Sequence, residues 1–233
     1  ILSPLPIEPV SMPISPDVRT NTSLYLVRHG ETDYNRRGIV QGGGIDSSLN
    51  ETGRRQARQL AERFRSVSFD AVYASTMQRA RQTADILAEP HEPIRRAHLE
   101  ELQEMSWGIY EGAGPSSDRD AELGEIKAEW RQGIFDRTVE GGESILDVRE
   151  RVIAAMDRVM AEDAGQTVLV VTHGRYLRVL LASVLDEYSL DQMHQLDHSN
   201  TCVNRLVHTG DRFEARLLNC TAHLNADSNP DPT

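Results

Sequence analysis

Short apolar strand segments alternate with amphipathic helices along the chain, and this alternation limits the possible folds more than any other feature. Residues 24–27 form one apolar run, and Thr167–Thr172 contains four consecutive apolar residues, as strands covered on both faces do. Between them, apolar residues recur at helical spacing after Asn50, a residue type that often begins helices. This order predicts an α/β fold, a three-layer α/β/α sandwich with a mostly parallel central sheet. Segments 201–207 and 213–218 flank Gly-Asp and predict an antiparallel hairpin at its edge.

The remaining segments predict the domain boundaries. A second strand is expected over 69–74, with Ser75 capping the helix that follows, and a helix is expected over 144–160. Residues 105–140 contain many glycines, and a helical pattern within them is interrupted at Gly124, so this region is predicted to be a lid. We expect one domain over 24–225. Residues 1–23, rich in Pro, Ser and Thr, and residues 226–233 are expected to be a disordered extension and tail.

Composition narrows the kinds of partner. The 233-residue chain has a formal net charge of -11, which argues against a nucleic-acid partner because phosphate-backbone binding needs a basic face. No apolar run is long enough to cross a membrane, so a cytoplasmic protein is expected. The two cysteines, Cys202 and Cys220, are predicted to be reduced, although one bridge between them is possible. The oligomeric state stays open, with a homodimer among the options.

Charged and polar side chains follow three of the predicted strands. Arg28, His29 and Gly30 follow the first strand, Ser75 to Arg79 follow the second, and His173 with Gly174 follows Thr167–Thr172. Ligands of open parallel sheets bind beyond the carboxyl ends of the strands. Two arginines and two histidines are therefore expected to face one crevice.

These residue types suit phosphoryl transfer, which needs an in-line nucleophile, positive groups around the equatorial oxygens and an acid for the leaving oxygen. A neutral imidazole is a competent nucleophile near pH 7, and neighbouring arginines favour that neutral form. We assign His29 as the nucleophile, Arg28 and Arg79 as phosphate clamps, and His173 as a further donor. The acid is expected to be a carboxylate after residue 99. None of these roles needs a metal or another cofactor.

Five ordered motifs between about residues 24 and 219 resemble those of the histidine phosphatase superfamily, which includes cofactor-dependent phosphoglycerate mutases and many phosphatases. The resemblance implies that Glu104 is the acid, with Glu101 the next choice, and that Asn35, Gln41 and Gly174 contact the substrate. The motifs are Leu-Val-Arg-His-Gly-Glu-Thr at 26–32, Ser-Thr-Met-Gln-Arg-Ala at 75–80, Glu-Leu-Gln-Glu at 101–104 followed by Gly108 and Glu111-Gly112, Gly-Gly-Glu-Ser at 141–144 and Val-Thr-His-Gly at 171–174.

The sequence also departs from the family pattern. Ile39 and Ser48 stand where the family often has Arg and Pro, and the segment 42–46 is one residue longer. These differences lie at the expected rim of the site and affect substrate choice. The mutases' proline-rich insertion is not evident between Gly112 and Gly141, which favours a phosphatase over a mutase.

The function predicted is therefore a metal-independent phosphatase that hydrolyses small phosphorylated metabolites through a phosphohistidine on His29. The alternatives are a cofactor-dependent phosphoglycerate mutase and a catalytically idle relative that binds a partner protein. His194 and His198, four residues apart, could be read as a metal site, but they lack a supporting helix and an HExxH pattern. Trp107 and Tyr110 could line a ligand pocket or pack the lid.

Overall fold

The computed structural model describes residues 21–225, which contain a six-stranded mixed sheet with strand order β3-β2-β4-β1-β5-β6. Strands β1 to β4 are mutually parallel, whereas β5 runs antiparallel to β1, and β6 antiparallel to β5. The predicted parallel sheet with an antiparallel edge is confirmed. The strands are β1 (Thr22–Arg28), β2 (Ala71–Ser75), β3 (Arg95–Leu99), β4 (Thr167–Thr172), β5 (Val203–His208) and β6 (Phe213–Cys220).

Helices cover both faces of this sheet, as the alternating pattern predicted. Side chains alternate across β1, so that Leu24 and Leu26 pack on one face, while Tyr25 and Val27 pack on the other. Helices α4, α5 and α6 contribute to the first core, and α2 and α3 to the second. The helices are α1 (Asp33–Arg37), α2 (Glu51–Phe64), α3 (Gln78–Ala88), α4 (Ser117–Trp130), α5 (Ile145–Asp163) and α6 (Gly174–Val184).

Some helix ends follow the expected capping chemistry. The Asn50 side chain accepts a hydrogen bond from the Gly53 amide at the start of α2, and Ser144 forms a capping box with Asp147 at the start of α5. The prediction for Ser75 was wrong. This residue ends β2, and α3 begins after Met77 without a side-chain cap. The Ser75 hydroxyl instead contacts His173.

The predicted lid region contains more regular structure than its glycines suggested. Helix α4 runs through Gly124 without interruption and buries Leu123, Ile126 and Trp130 against the core. Burial of these apolar side chains outweighs the low helix propensity of one glycine.

The ends of the described segment also bear on the predictions. Thr22 and Ser23 belong to β1, so the ordered domain begins two residues earlier than the sequence predicted. The predicted extension over 1–20 and the tail over 226–233 lie outside the described residues. Cys202 and Cys220 are both free thiols, as predicted. Within 21–225, no helix is long and apolar enough to span a membrane.

Candidate active site

Neighbouring strands bring the predicted site residues to one edge of the sheet. Arg28 pairs with Thr172 in the register of β1 and β4, and the His29 amide donates to the Thr172 carbonyl at 3.0 Å. The rings of His29 and His173 are consequently neighbours, with centroids 5.2 Å apart. Strand β2, on the other side of β4, ends at Ser75, whose hydroxyl contacts His173.

The His29 imidazole is held as a neutral ring with one defined tautomer. Its Nδ1 atom lies 2.7 Å from the Gly30 carbonyl oxygen, and since a carbonyl only accepts, Nδ1 must carry the proton. Burial, with repulsion from Arg79 and Arg28, holds the pKa of His29 well below its usual range. The Nε2 atom therefore keeps a free lone pair at neutral pH, which is what a nucleophile needs.

Two guanidinium groups act on His29, that of the half-buried Arg28 and that of the buried Arg79. Arg28 donates to the His198 carbonyl at 2.7 Å, and Arg79 donates to the carbonyls of Ile45 and Gly42 at 2.6 and 3.0 Å. The Nε atoms of both arginines are buried and have no hydrogen-bond partner within the described chain. Burial lowers the pKa of Arg79 to about 10, which still leaves it charged at neutral pH. Each arginine is thus fixed by the backbone and keeps a donor for an anion.

His173 is fully buried and is positioned by Ser75. Its Nε2 atom lies 2.9 Å from the Ser75 hydroxyl, which also accepts from the Met77 amide at 3.3 Å. The remaining ring nitrogen, Nδ1, is buried without a partner in the described chain. If the hydroxyl donates to Nε2, Nδ1 carries the proton and becomes a donor.

Glu104 is the carboxylate that faces His29. Its oxygens accept from the backbone amides of Met105, Tyr176 and Arg175 at 2.9, 3.0 and 3.1 Å, so the side chain is held at the start of α6. It lines the same cavity as His29, whereas Glu101 lines a separate cavity. The geometry therefore supports Glu104 rather than Glu101 as the acid.

The three predicted substrate contacts occupy different positions. Asn35 and Gln41 line the cavity; Asn35 uses its Oδ1 atom to cap α1, and Gln41 accepts from Ser47 at 2.5 Å. Gly174 does not line the cavity. A Cβ atom there would lie 3.3 Å from the Arg28 Nε atom, so this glycine gives Arg28 room to pack against the start of α6.

Most of these side chains line a cavity of about 200 Å³, whereas the fully buried His173 adjoins His29 and is not among the lining residues. Trp107 forms part of the cavity wall and also packs against the core, whereas Tyr110 packs against the core and is not among the lining residues. Lys127, from α4, reaches the same cavity. The described lining residues are Arg28, His29, Asn35, Ile39, Val40, Gln41, Gly42, Arg79, Glu104, Trp107, Leu123 and Lys127.

Several residues that contribute to the candidate site were not predicted from the sequence. Asn200 donates from its side chain to the His29 carbonyl at 3.0 Å, and Glu111 accepts from the Gly44 amide at 2.6 Å and so braces the glycine loop. Lys127 and Arg175 also went unrecognised. The Glu111-Gly112 pair is part of the resemblance to the family and could have indicated that Glu111 contributes to the site. No sequence pattern marked Asn200.

No group of three or more His, Cys, Asp or Glu side chains in residues 21–225 is arranged to hold a metal ion. The two histidines once considered for that role point their Nδ1 atoms at backbone carbonyls: His194 at Asp191, 2.9 Å away, and His198 at Leu196, 3.1 Å away. His198 is buried, and its own carbonyl supports Arg28. The structure therefore gives these histidines structural contacts rather than metal-ligating ones.

Residues 24–221 match the histidine phosphatase superfamily (branch 1), and the chain belongs to that family. It is 36% identical over 166 residues to a probable phosphoglycerate mutase, GpmB, of Klebsiella pneumoniae, covering 70% of this chain and 74% of that protein. The solved structure of Bacillus stearothermophilus YhfR has a TM-score of 0.77 at 31% identity, covering 88% of this chain and 100% of that one. A mycobacterial glucosyl-3-phosphoglycerate phosphatase solved with VO3 has a TM-score of 0.75 at 27% identity, covering 85% and 98%.

Proposed function

We propose that this protein is a phosphatase that hydrolyses small phosphorylated metabolites through a phosphohistidine on His29. The observation that carries the proposal is the tautomer of His29. Its Nδ1 proton is committed to Gly30, which leaves the Nε2 lone pair available in a cavity that also contains Arg28, Arg79 and Glu104. Phosphatase-named relatives in the same family support the reaction class.

In the first step, Nε2 of His29 attacks phosphorus as the bond to the leaving oxygen breaks. Arg28 and Arg79 bind the equatorial oxygens, and His173 donates from Nδ1 as negative charge shifts in the transition state. The leaving alkoxide takes a proton from the Glu104 carboxyl group and departs as an alcohol. The phosphoryl group remains on His29.

In the second step, the Glu104 carboxylate takes a proton from water as that water attacks phosphorus. The bond to Nε2 breaks, inorganic phosphate leaves, and His29 returns to its starting state. Access of water to the phosphohistidine favours hydrolysis, the reaction of a phosphatase, over retention of the phosphoryl group, which a mutase needs. Glu104 also lines a second, largely polar cavity of about 660 Å³, which gives solvent a route to the carboxylate.

In this scheme Arg28 and Arg79 supply the positive charge and His173 supplies a hydrogen bond, so the proposed reaction is independent of metal ions. The test is hydrolysis of an aryl phosphate in EDTA by the intact protein, His29→Ala and, as a matched control, His91→Ala, which lies outside the cavity. We expect the intact protein and His91→Ala to hydrolyse the aryl phosphate, and His29→Ala not to. Turnover by His29→Ala equal to that of the control would refute the mechanism.

A phosphoglycerate mutase is the second candidate, because the Klebsiella pneumoniae relative is named as a probable one. A mutase keeps the phosphoryl group on its histidine and excludes water. It would show little aryl phosphate hydrolysis and would require a bisphosphoglycerate primer to interconvert phosphoglycerates. Turnover of the aryl phosphate that depends on His29 would favour the phosphatase and would also dismiss a role limited to binding a partner protein.

A further inference from the structure

A second, smaller cavity of about 90 Å³ adjoins the catalytic cavity and is bordered mainly by cations. Lys127 lines both cavities and so connects them. The volume is about that of three waters in the liquid, which is enough for a carboxylate or a phosphoryl group. Its ionisable lining residues are Lys127, Arg131, Arg175, Arg178, Asp191 and His194, and Trp130 and Met193 complete the described lining.

Carboxylates only partly offset the cations at this cavity, where Asp191 is the one carboxylate in the described lining. Arg178 forms an ion pair with the exposed Asp197 at 3.3 Å, but among the described residues neither Arg175 nor Lys127 forms an ion pair. Arg175 instead lies over two indole rings, 5.6 Å from the centroid of Trp107 and 5.3 Å from that of Trp130. Stacking fixes the plane of the guanidinium group but leaves its charge without a counter-ion.

Like charges at this position oppose one another. Burial and repulsion from Arg178 together lower the pKa of Arg175 to about 10, although Glu104 opposes this shift. Burial also lowers the pKa of Lys127, and both Arg175 and Arg178 add to that effect. Holding partly buried cations together costs free energy in the unliganded protein, and an anion between them would offset that cost.

The geometry points to a second anion subsite formed by Lys127, Arg175 and Arg178, which binds a carboxylate or phosphate at the far end of the substrate. Given the proposed function, on which this inference rests, the substrates are phosphomonoesters that carry a second anionic group. Trp107 separates the two subsites, since it lines the catalytic cavity and stacks beneath Arg175. The scissile group would lie at His29 with the rest of the molecule passing along the indole.

The test compares three matched series of esters with chains of about two to six carbons: hydroxyalkyl phosphates, carboxyalkyl phosphates and alkanediyl bisphosphates. We expect kcat/KM to be about ten- to a hundredfold higher for an anionic terminus at the best chain length, the size of one or two charge-assisted contacts. Comparison of kcat/KM between the carboxyalkyl phosphates and the alkanediyl bisphosphates shows whether the subsite prefers a carboxylate or a phosphate. Equal kcat/KM across all three series would overturn the inference and leave the proposed hydrolysis intact.

Substitutions in the proposed subsite identify the residues that cause the preference for an anionic terminus. Arg175→Met and Lys127→Met keep most of the side-chain length and remove the charge, and each should lower the ratio of kcat/KM for carboxyalkyl over hydroxyalkyl esters about tenfold. Arg65→Met, an exposed arginine paired with Glu62, is the matched control and should leave the ratio unchanged. A ratio that is the same in all four proteins would overturn the assignment of the subsite.

A binding measurement separates this inference from the proposed reaction. Calorimetric titration with non-hydrolysable carboxyalkyl and hydroxyalkyl phosphonates needs no turnover, so it applies even if the protein hydrolyses nothing. Tighter binding of the carboxyalkyl phosphonate, lost in Arg175→Met, would support the subsite. Equal affinities of the intact protein for the two phosphonates would overturn it, whatever the assays of hydrolysis show.

Discussion

Replacement of Ser75 by Ala tests how the second histidine is oriented. Ser75 and His173 are both fully buried, and the hydroxyl oxygen lies 2.9 Å from the Nε2 atom of the ring. The Met77 amide donates to the same oxygen, which leaves the hydroxyl proton free to point at His173. This arrangement favours the tautomer with a proton on Nδ1, the nitrogen that has no partner among the described residues.

The size of the effect follows from this geometry. Leaving a buried acceptor unsatisfied costs about 1–3 kcal/mol, and part of that cost appears as lost stability. If the transition state needs the defined tautomer of His173, the loss of that tautomer also raises the activation free energy. An increase of about 1.4–2.7 kcal/mol would lower kcat about ten- to a hundredfold. We expect KM to change much less, because Arg28 and Arg79 still bind the phosphoryl group.

The assay measures kcat and KM with an aryl phosphate, together with the free energy of unfolding in urea. Ser183→Ala is the matched control, because Ser183 donates to the Val179 carbonyl at 2.7 Å within α6 and lies outside the catalytic cavity. The control should keep its kcat. A Ser75→Ala protein that folds and has a kcat within twofold of the intact protein would refute the proposed role of the Ser75–His173 contact.

Three further predictions address the acid, the glycine loop and stability. Glu104→Gln should lower kcat about a hundredfold or more, and Glu101→Gln should not; equal losses would contradict the assignment. Gly42 has φ +58°, and the Cβ atom of an alanine there would lie 2.2 Å from the Glu111 carboxylate. Gly42→Ala should therefore displace the Gly42 carbonyl that holds Arg79 and lower kcat/KM. Gly114→Ala is the control, because a Cβ atom at Gly114 would meet no neighbouring atom, and it should leave kcat/KM unchanged. Burial lowers the pKa of His198 to about 3, so only the unfolded chain takes up its proton as pH falls below about 6.5. The contribution of His198 to the free energy of unfolding should then decrease by about 1.4 kcal/mol per pH unit towards pH 4, and urea titrations of His198→Gln should show a shallower slope than those of the intact protein.

The sequence was sufficient to predict the sheet and the residues that follow its parallel strands. Apolar runs predicted β1 and β4 because both are covered on two faces, and a parallel register then requires His29 and His173 to be neighbours. His29, Arg28 and Arg79 line the cavity at this edge, as their places after the strands indicated, and Glu104 lines it as the resemblance to the family implied. Chain connectivity and strand direction determine these positions.

Contacts made by loops and by helix α4 could not be predicted. The sequence gives no sign that Lys127 and Arg175 meet across Trp107, because that contact depends on how α4 packs against α6. The role of Ser75 was missed for a different reason. Its hydroxyl suits a helix cap equally well, and only the three-dimensional position of His173 selects the other partner.

The central claim is that His29 carries the phosphoryl group during turnover. Rapid mixing with an aryl phosphate, quenching at alkaline pH and mass spectrometry of the peptides would locate it, because phosphohistidine survives base and is lost in acid. We predict a phosphoryl group on His29 that accumulates within one turnover and is absent in His29→Ala. Turnover without any phosphorylated His29, or with the group on His173 or a serine, would contradict the account.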